Sequence, residues 1–219
     1  NAISEKMLKH FGVKSQVIYN MVDNSFFDEV SIDDVSHSKF TFVSVGNLLV
    51  GKGFDTLVKA FFESKFPSNI IGEGGEREKL EELIRALHLT DRVKLLGVKS
   101  PVEVSSILAH ADIFVLASRK ETFGIVYVEA MAKGLPVIAT KCGGPEEFVN
   151  KENGILVPVD NVEELSKAML LIASLYFYAY FEWSYLWIML LSIIVNFAFS
   201  KWFEQLNLEQ KYSLRKVLF

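Results

Sequence analysis

Short apolar runs alternate with amphipathic stretches along residues 1–170. The apolar runs predict six strands, at residues 39–45, 69–72, 92–97, 112–117, 135–140 and 154–158. The amphipathic stretches predict five helices, at residues 54–65, 75–88, 101–110, 124–133 and 161–170. Alternating strands and helices are typical of βαβ units and of a mostly parallel sheet covered on both faces. The pattern therefore predicts a doubly wound, Rossmann-like α/β domain whose ligands lie beyond the carboxyl ends of its strands.

The pattern changes near residue 170. Residues 168–199 are almost continuously apolar, with Glu182 as the one charged residue. As a single helix this stretch would be roughly 48 Å long, against roughly 30 Å for the hydrocarbon core of a bilayer. A tilted span, a hairpin that turns near Glu182, a segment in the membrane plane and a buried helix pair are all compatible with it. We predict two domains, residues 1–170 and a hydrophobic, membrane-associated helical segment at residues 171–219.

The charges that follow this stretch bear on its orientation. Four basic residues come after it, and they are Lys201, Lys211, Arg215 and Lys216. Positive charge beside a hydrophobic segment favours the cytoplasmic side of a membrane. We therefore expect the protein on the cytoplasmic face of a membrane, with lipid contacts through residues 168–199.

Composition excludes several functional classes. The chain has 23 basic and 27 acidic residues, a net charge of −4, and no basic run. Nucleic acid is therefore a poor partner, because phosphate contacts need clustered Lys and Arg. The single cysteine, Cys142, excludes an internal disulfide framework and a zinc site built from cysteines. The four histidines suggest no metal or catalytic triad.

The first candidate site is GNLLVGKG, residues 46–53, between a predicted strand and a predicted helix. Glycines at such a turn let backbone N–H groups approach an anion at the helix N-terminus, and Lys52 adds a positive charge. The spacing follows the P-loop signature except that Gly53 replaces the hydroxyl residue that binds magnesium. A phosphate-facing loop without a metal is therefore favoured over a magnesium-dependent nucleotidase. A structural turn with a surface lysine is the alternative.

The second candidate is Glu121-Thr-Phe-Gly124 followed by Glu129, in the loop and helix after the strand at residues 112–117. Carboxylates accept hydrogen bonds, so this pair suits the hydroxyls of a sugar or a ribose. The backbone amides at the predicted helix start would face a bound anion. These amides belong to Phe123, Gly124 and Ile125. Two solvated surface glutamates are the alternative. A third motif, Gly143-Gly-Pro-Glu-Glu147, predicts a sharp turn that leads into a helix.

Together these motifs resemble the C-terminal, donor-binding domain of GT-B glycosyltransferases of the retaining family 4. The resemblance runs from about Lys14 to Met169 and includes VIYNMVD, VGNLLVGKGFDTLVKAF, IIGEGGEREKLE and NGILVPVDNVEEL. It also includes ADIFVLASRKETFGIVYVEAMAKGLPVIATKCGGPEEFV, in which Glu121 and Glu129 form the E-x7-E element.

The resemblance implies a site for a nucleotide-diphospho-sugar, with no cofactor and no metal. It implies Glu121 and Lys52 as the catalytic pair, with Glu121 on the transferred sugar and Lys52 on the diphosphate. Glu129 would hold the ribose hydroxyls. The remaining residues that would bind the donor are Gly46, Asn47, Phe123, Gly124 and Ile125.

The sequence departs from this family at both ends and at one site position. Asn47 stands where many members carry a basic residue, so Lys52 alone supplies positive charge from its loop. The N-terminal acceptor domain of the family is absent, so we expect donor binding without transfer. Residues 173–203 resemble the N-terminal membrane segment of membrane-bound O-acyltransferases. A membrane acyltransferase fragment with an α/β scaffold is therefore the alternative function, followed by a P-loop nucleotidase and a non-catalytic interaction module.

Overall fold

A computed structural model describes residues 40–180 continuously, residues 191–197, and the separate residues 9, 22, 23, 26 and 201. The chain divides into two compact units, Asn1–Leu170 and Leu171–Phe219. The first unit carries every candidate site residue. The functional assignment of the two predicted domains stays a prediction.

The first unit is built on one six-stranded, fully parallel sheet within residues 40–180. Its strands are β1 (Phe42–Val45), β2 (Ser68–Ile71), β3 (Val93–Leu95), β4 (Ile113–Leu116), β5 (Val137–Thr140) and β6 (Gly154–Val157). The helices are α1 (Phe54–Ser64), α2 (Arg77–Ala86), α3 (Pro101–Ala109), α4 (Ile125–Ala132) and α5 (Val162–Tyr180). The predicted parallel α/β sheet is confirmed.

Most elements are a few residues shorter than predicted, as β1 is at Phe42–Val45, and two differences bear on the fold. The strand predicted at residues 92–97 keeps only Val93–Leu95, and Gly97 forms a separate antiparallel bridge to Gly72. The helix predicted at residues 161–170 continues to Tyr180, because no glycine or proline interrupts the apolar run after residue 170.

The strand order is β3-β2-β1-β4-β5-β6, and it determines where a ligand-binding crevice can form. Strands β1 and β4 are neighbours, with Phe42 opposite Ile113, yet the chain leaves them toward opposite edges of the sheet. Their following loops therefore separate and open a crevice at the carboxyl ends of the strands, where open α/β sheets bind ligands. The four residues of β4 are fully buried, so the strand ends are fixed by the core.

In the second unit, residues 191–197 are helical and all seven are exposed. Five of them are large and apolar, namely Leu191, Ile193, Ile194, Val195 and Phe197. Among the residues that the structure describes, no helix is both long enough and apolar enough to cross a membrane. The central part of the predicted hydrophobic segment, residues 181–190, lies outside the described residues.

Candidate functional site

An ion pair joins the loops that follow β1 and β4. The ammonium of Lys52, at the end of a 3-10 turn Val50–Lys52, contacts the carboxylate Oε2 of Glu121. The two residues are 69 positions apart in the chain, and their side chains are only 24 % and 12 % exposed. The two residues predicted as catalytic therefore lie side by side at the β1/β4 crevice.

The start of the first loop lies beside the lysine, and a Cβ on Gly46 would make only ordinary contacts there. A Cβ on Gly46 would lie 3.5 Å from the ring of Phe54 and 3.8 Å from Cδ of Lys52. The N–H of Gly46 donates to the carbonyl of Ile71 at 3.0 Å, so that amide is already engaged. The N–H of Gly46 is therefore not available to a ligand, and the predicted contact of Gly46 with the donor stays a prediction. Asn47 is exposed at the same turn, where its predicted contact with the donor stays a prediction.

At Gly53 the end of this loop packs closely against the backbone that follows β4. Its φ of +63° is in the left-handed region, and a Cβ there would lie 2.0 Å from the carbonyl oxygen of Ala117. Any side chain would collide with the backbone that follows β4. This contact gives a steric reason why the hydroxyl residue of a P-loop is absent here.

The Gly143–Glu147 motif supports the loop that carries Glu121. Glu121 forms an isolated parallel bridge with Gly143, and its carbonyl accepts the N–H of Gly144 at 2.9 Å. A Cβ on Gly144 would lie within 2.7 Å of backbone atoms of Phe123. Instead of the predicted helix, residues Gly144–Glu147 form a single 3-10 turn. Its role is therefore to hold the Glu121 loop in place.

Helix α4 begins directly after that loop. Gly124 is its N-cap, with φ +82°, and Ile125 is its first residue. The first N–H groups of a helix have no partner within the helix and carry its positive dipole end, which suits a phosphate. Phe123 packs against Phe148, with ring centroids 5.6 Å apart. The N-cap thus lies three residues after Glu121, and anion binding at the helix start stays a prediction.

Glu129 lies on α4 and, in the described part of the chain, forms no hydrogen bond or ion pair with Lys52 or Glu121. Its side chain is half-buried. Burial, and to a lesser degree the nearby Asp23 carboxylate, raises the pKa of Glu129 above its ordinary value. A carboxylate held in a partly dry setting is short of hydrogen-bond donors, which hydroxyl groups of a ligand would supply. Its predicted role toward ribose stays a prediction.

Glu129→Gln is expected to raise the free energy of unfolding at neutral pH. Because the folded pKa is raised, the ionised form destabilises the fold, and this penalty appears as pH rises above about 4.5. Thermal unfolding should show a higher midpoint for the variant at pH 7.5 and no difference from the wild type near pH 4. Glu82→Gln, at an exposed position on α2, is the control. An equal shift in both variants, or the same gain at both pH values, would contradict the expectation.

Sequence reasoning missed two residues that border the site. Arg119, two positions before Glu121, donates from Nε to Oδ1 of Asp160 at 2.7 Å. Asp160 precedes α5 and comes from the loop after β6. The only signal in the sequence is a basic residue in a loop at the end of a strand, which is equally typical of an ordinary surface position.

No group of three or more His, Cys, Asp or Glu residues that could hold a metal ion occurs in the described part of the chain. Cys142 is half-buried next to the site, and burial raises the pKa of its thiol. The prediction that the donor binds without a metal stays open to test.

Comparison with known proteins identifies the family. The model of glycosyl transferases group 1 matches residues 28–176. A glycosyltransferase of Methanocaldococcus jannaschii is 34% identical over 160 residues, which cover 73% of this chain and 41% of that protein. The N-acetyl-alpha-D-glucosaminyl L-malate synthase of Bacillus anthracis is 32% identical over 155 residues, 66% of this chain and 40% of the synthase.

The fold is shared with solved structures as well. The crystal structure of Anabaena Alr3699/HepE in complex with UDP and glucose superposes with a TM-score of 0.66 and 29% identity, over 72% of this chain and 47% of that one. The chain thus spans about two fifths of the length of the curated relatives and about half of that structure. The match, which covers more than half of the chain, places it in a family of enzymes: the protein belongs to the glycosyl transferases group 1.

Proposed function

We propose that the first unit binds the donor of a retaining GT-B glycosyltransferase of family 4, a nucleotide-diphospho-sugar. The observation that carries this proposal is the Lys52–Glu121 pair at the β1/β4 crevice, with Glu121 three residues before the N-cap of α4. The cation and the helix start suit a diphosphate, and the carboxylate suits sugar hydroxyls. The UDP and glucose bound by Anabaena Alr3699/HepE support the same class of ligand.

The proposed chemistry is electrostatic. When the bond between the sugar and the diphosphate breaks, negative charge grows on the leaving phosphate oxygens. The Lys52 ammonium and the N–H groups at the start of α4 would stabilise that charge without a metal. Glu121 would hold the transferred sugar and Glu129 the ribose, so that the reacting carbon stays oriented. The sugar would keep its anomeric configuration.

Calorimetric titration of the full chain with UDP, GDP, ADP and their sugars tests donor binding. Saturable binding of at least one nucleotide sugar is expected, and EDTA should leave the affinity unchanged. A folded sample that binds none of them would overturn the proposal. Magnesium-dependent hydrolysis of ATP would instead favour the P-loop nucleotidase, and binding of no nucleotide would favour the interaction module.

Transfer itself is proposed to need an acceptor-binding domain. GT-B enzymes place the acceptor across a cleft from the donor domain, and we assign the first unit to the donor side. We expect the 219-residue chain to bind donor but transfer no sugar to an added acceptor. Turnover by this chain alone would contradict that expectation. In a form that contains an acceptor domain, NMR of the anomeric proton of the product would test retention.

Glu121→Gln is expected to change the affinities for UDP and for a UDP-sugar in opposite directions. In the unliganded site the Glu121 carboxylate forms an ion pair with the Lys52 ammonium. Replacing the carboxylate frees the ammonium for phosphate, so UDP should bind several-fold tighter. The UDP-sugar loses its hydroxyl contact and should bind more weakly. Glu152→Gln, an exposed position with the same change in net charge, is the control. Weaker binding of UDP by Glu121→Gln would contradict the role assigned to the pair.

The second unit is proposed to lie on the cytoplasmic face of a membrane. The exposed apolar side chains at residues 191–197 are of the kind that insert at a lipid surface. In a flotation assay with anionic lipid vesicles the full chain should co-float, and a variant with Ile193→Asp and Ile194→Asp should float less. Equal flotation of both, or none, would overturn the proposal. The acyltransferase alternative gains no support, since the relatives found are glycosyltransferases.

A further inference from the structure

Arg119 connects three loops around the site. Its Nη1 donates to the carbonyl of Val50 at 2.6 Å, in the turn that ends at Lys52. Its Nη2 donates to Oδ2 of Asp55 at 2.9 Å, and its Nε donates to Oδ1 of Asp160 at 2.7 Å. The side chain thus links the loop after β4, which it shares with Glu121, to the loops after β1 and β6.

Main-chain contacts reinforce the same junction. The backbone N–H of Arg119 donates to the carbonyl of Gly51 at 2.8 Å. Val50 and Gly51 are the two residues before Lys52. The carbonyls of both residues therefore accept hydrogen bonds from Arg119. Thr56 extends the junction, since its hydroxyl donates to Oδ1 of Asp160 at 3.1 Å.

The charge balance indicates that Arg119 does not itself bind phosphate. Asp55 and Asp160 each form a salt bridge with its guanidinium. All three guanidinium nitrogens already donate hydrogen bonds, to a backbone carbonyl and to these two carboxylates. Nη2 also donates to Oγ1 of Thr56 at 3.3 Å, so four of the five N–H groups are engaged, and the two carboxylates already balance the positive charge. A diphosphate therefore gains little from Arg119 directly, and we infer that Arg119 acts on a ligand through the residues that it holds.

We propose that Arg119 is a positioning residue that fixes the ammonium of Lys52 beside Glu121 before the donor diphosphate arrives. The inference rests on the proposed function. Lys52 has a long, rotamer-rich side chain on a three-residue turn, and a turn that moves would spread its ammonium over many positions. Holding the turn lowers the entropy that is lost when the diphosphate binds. Through its contact with Asp160, Arg119 also ties the loop after β6 to the turn that carries Lys52.

A double-mutant cycle on the full chain tests this inference with UDP as the probe. The proteins are the wild type, Arg119→Met, Lys52→Met and the double variant, with affinities from calorimetry and from ligand-observed NMR where binding is weak. Arg119→Met is expected to lower the UDP affinity about 10-fold when Lys52 is present and to have almost no effect when Lys52 is replaced. Equal losses in both backgrounds would show a general structural role and overturn the inference, as would unchanged affinity in Arg119→Met.

Two further variants guard against a folding defect. Asp160→Asn removes one arm of the junction and should lower the UDP affinity about 3-fold, again only when Lys52 is present. Arg119→Lys keeps the charge but not the forked donors, so it should restore only a small part of the affinity. Full recovery in Arg119→Lys would overturn the inference. If the wild type binds no UDP, GDP or ADP, the proposed function itself fails, whereas binding with an additive cycle removes only the role of Arg119.

Discussion

Gly53→Ala is expected to lower the free energy of unfolding by about 3 kcal/mol, among the larger effects of a single substitution. The new Cβ would lie 2.0 Å from the carbonyl oxygen of Ala117, and the φ of +63° is unfavourable for alanine. Either the loop or the end of β4 must move. For a domain of this size the melting temperature should fall by roughly 6–12 °C in thermal unfolding followed by circular dichroism.

Gly51→Ala provides the matched control in the same loop. Gly51 lies two residues earlier, and a Cβ on it would meet no atom within 4 Å. Its stability should therefore stay within about 0.5 kcal/mol of the wild type. If neither variant lowers the melting temperature, the loop does not pack on β4 as described. A large loss in both would point to a general need for glycine in the loop.

The same contact separates this loop from a P-loop. The sequence shows only that Gly53 occupies the place of a hydroxyl residue, which is a chemical mismatch. The structure adds that no side chain fits there at all, because the loop lies against the backbone after β4. Gly53→Ser should consequently destabilise the fold as Gly53→Ala does, rather than create a magnesium site.

The fold was predictable from hydrophobic periodicity because buried parallel strands and their covering helices alternate along the chain. The six strands and five helices of residues 40–180 lie where the pattern predicts them. Periodicity does not predict the strand order, because the order depends on which strands pair in space. The continuation of α5 to Tyr180 is not predicted, because the amphipathic pattern ends near residue 170 while the helix continues into the apolar stretch.

The site was predictable in part. Lys52 and Glu121 could be proposed separately because each follows a strand that ends at the same edge of the sheet. Their direct contact could not, since it depends on the close approach of Gly53 to Ala117 and on the contacts of Arg119. Arg119 was missed because its partners, Asp55 and Asp160, are 64 and 41 residues away. A residue whose role depends on distant loops has no local signal.

Lys52→Met is expected to lower the affinity for UDP by about 10- to 100-fold, the loss of one charge-assisted contact. No other cation in residues 46–53 can replace it, because Asn47 is neutral. Calorimetry should show this loss together with a weaker dependence of the remaining affinity on salt. Lys59→Met, at an exposed position on α1, makes the same change in net charge and should leave UDP binding unchanged. Equal affinities in the two variants would remove Lys52 from the site.

Stability and binding can be separated by adding Glu121→Gln to Lys52→Met. The single lysine variant leaves a carboxylate that is only 12 % exposed without its partner, so some loss of stability is expected. The double variant removes both charges and should recover that stability. Binding of UDP should stay weak, because the ammonium that would meet the diphosphate is still missing. Recovery of both properties together would mean that the pair serves the fold alone, and recovery of stability alone would assign Lys52 to the ligand.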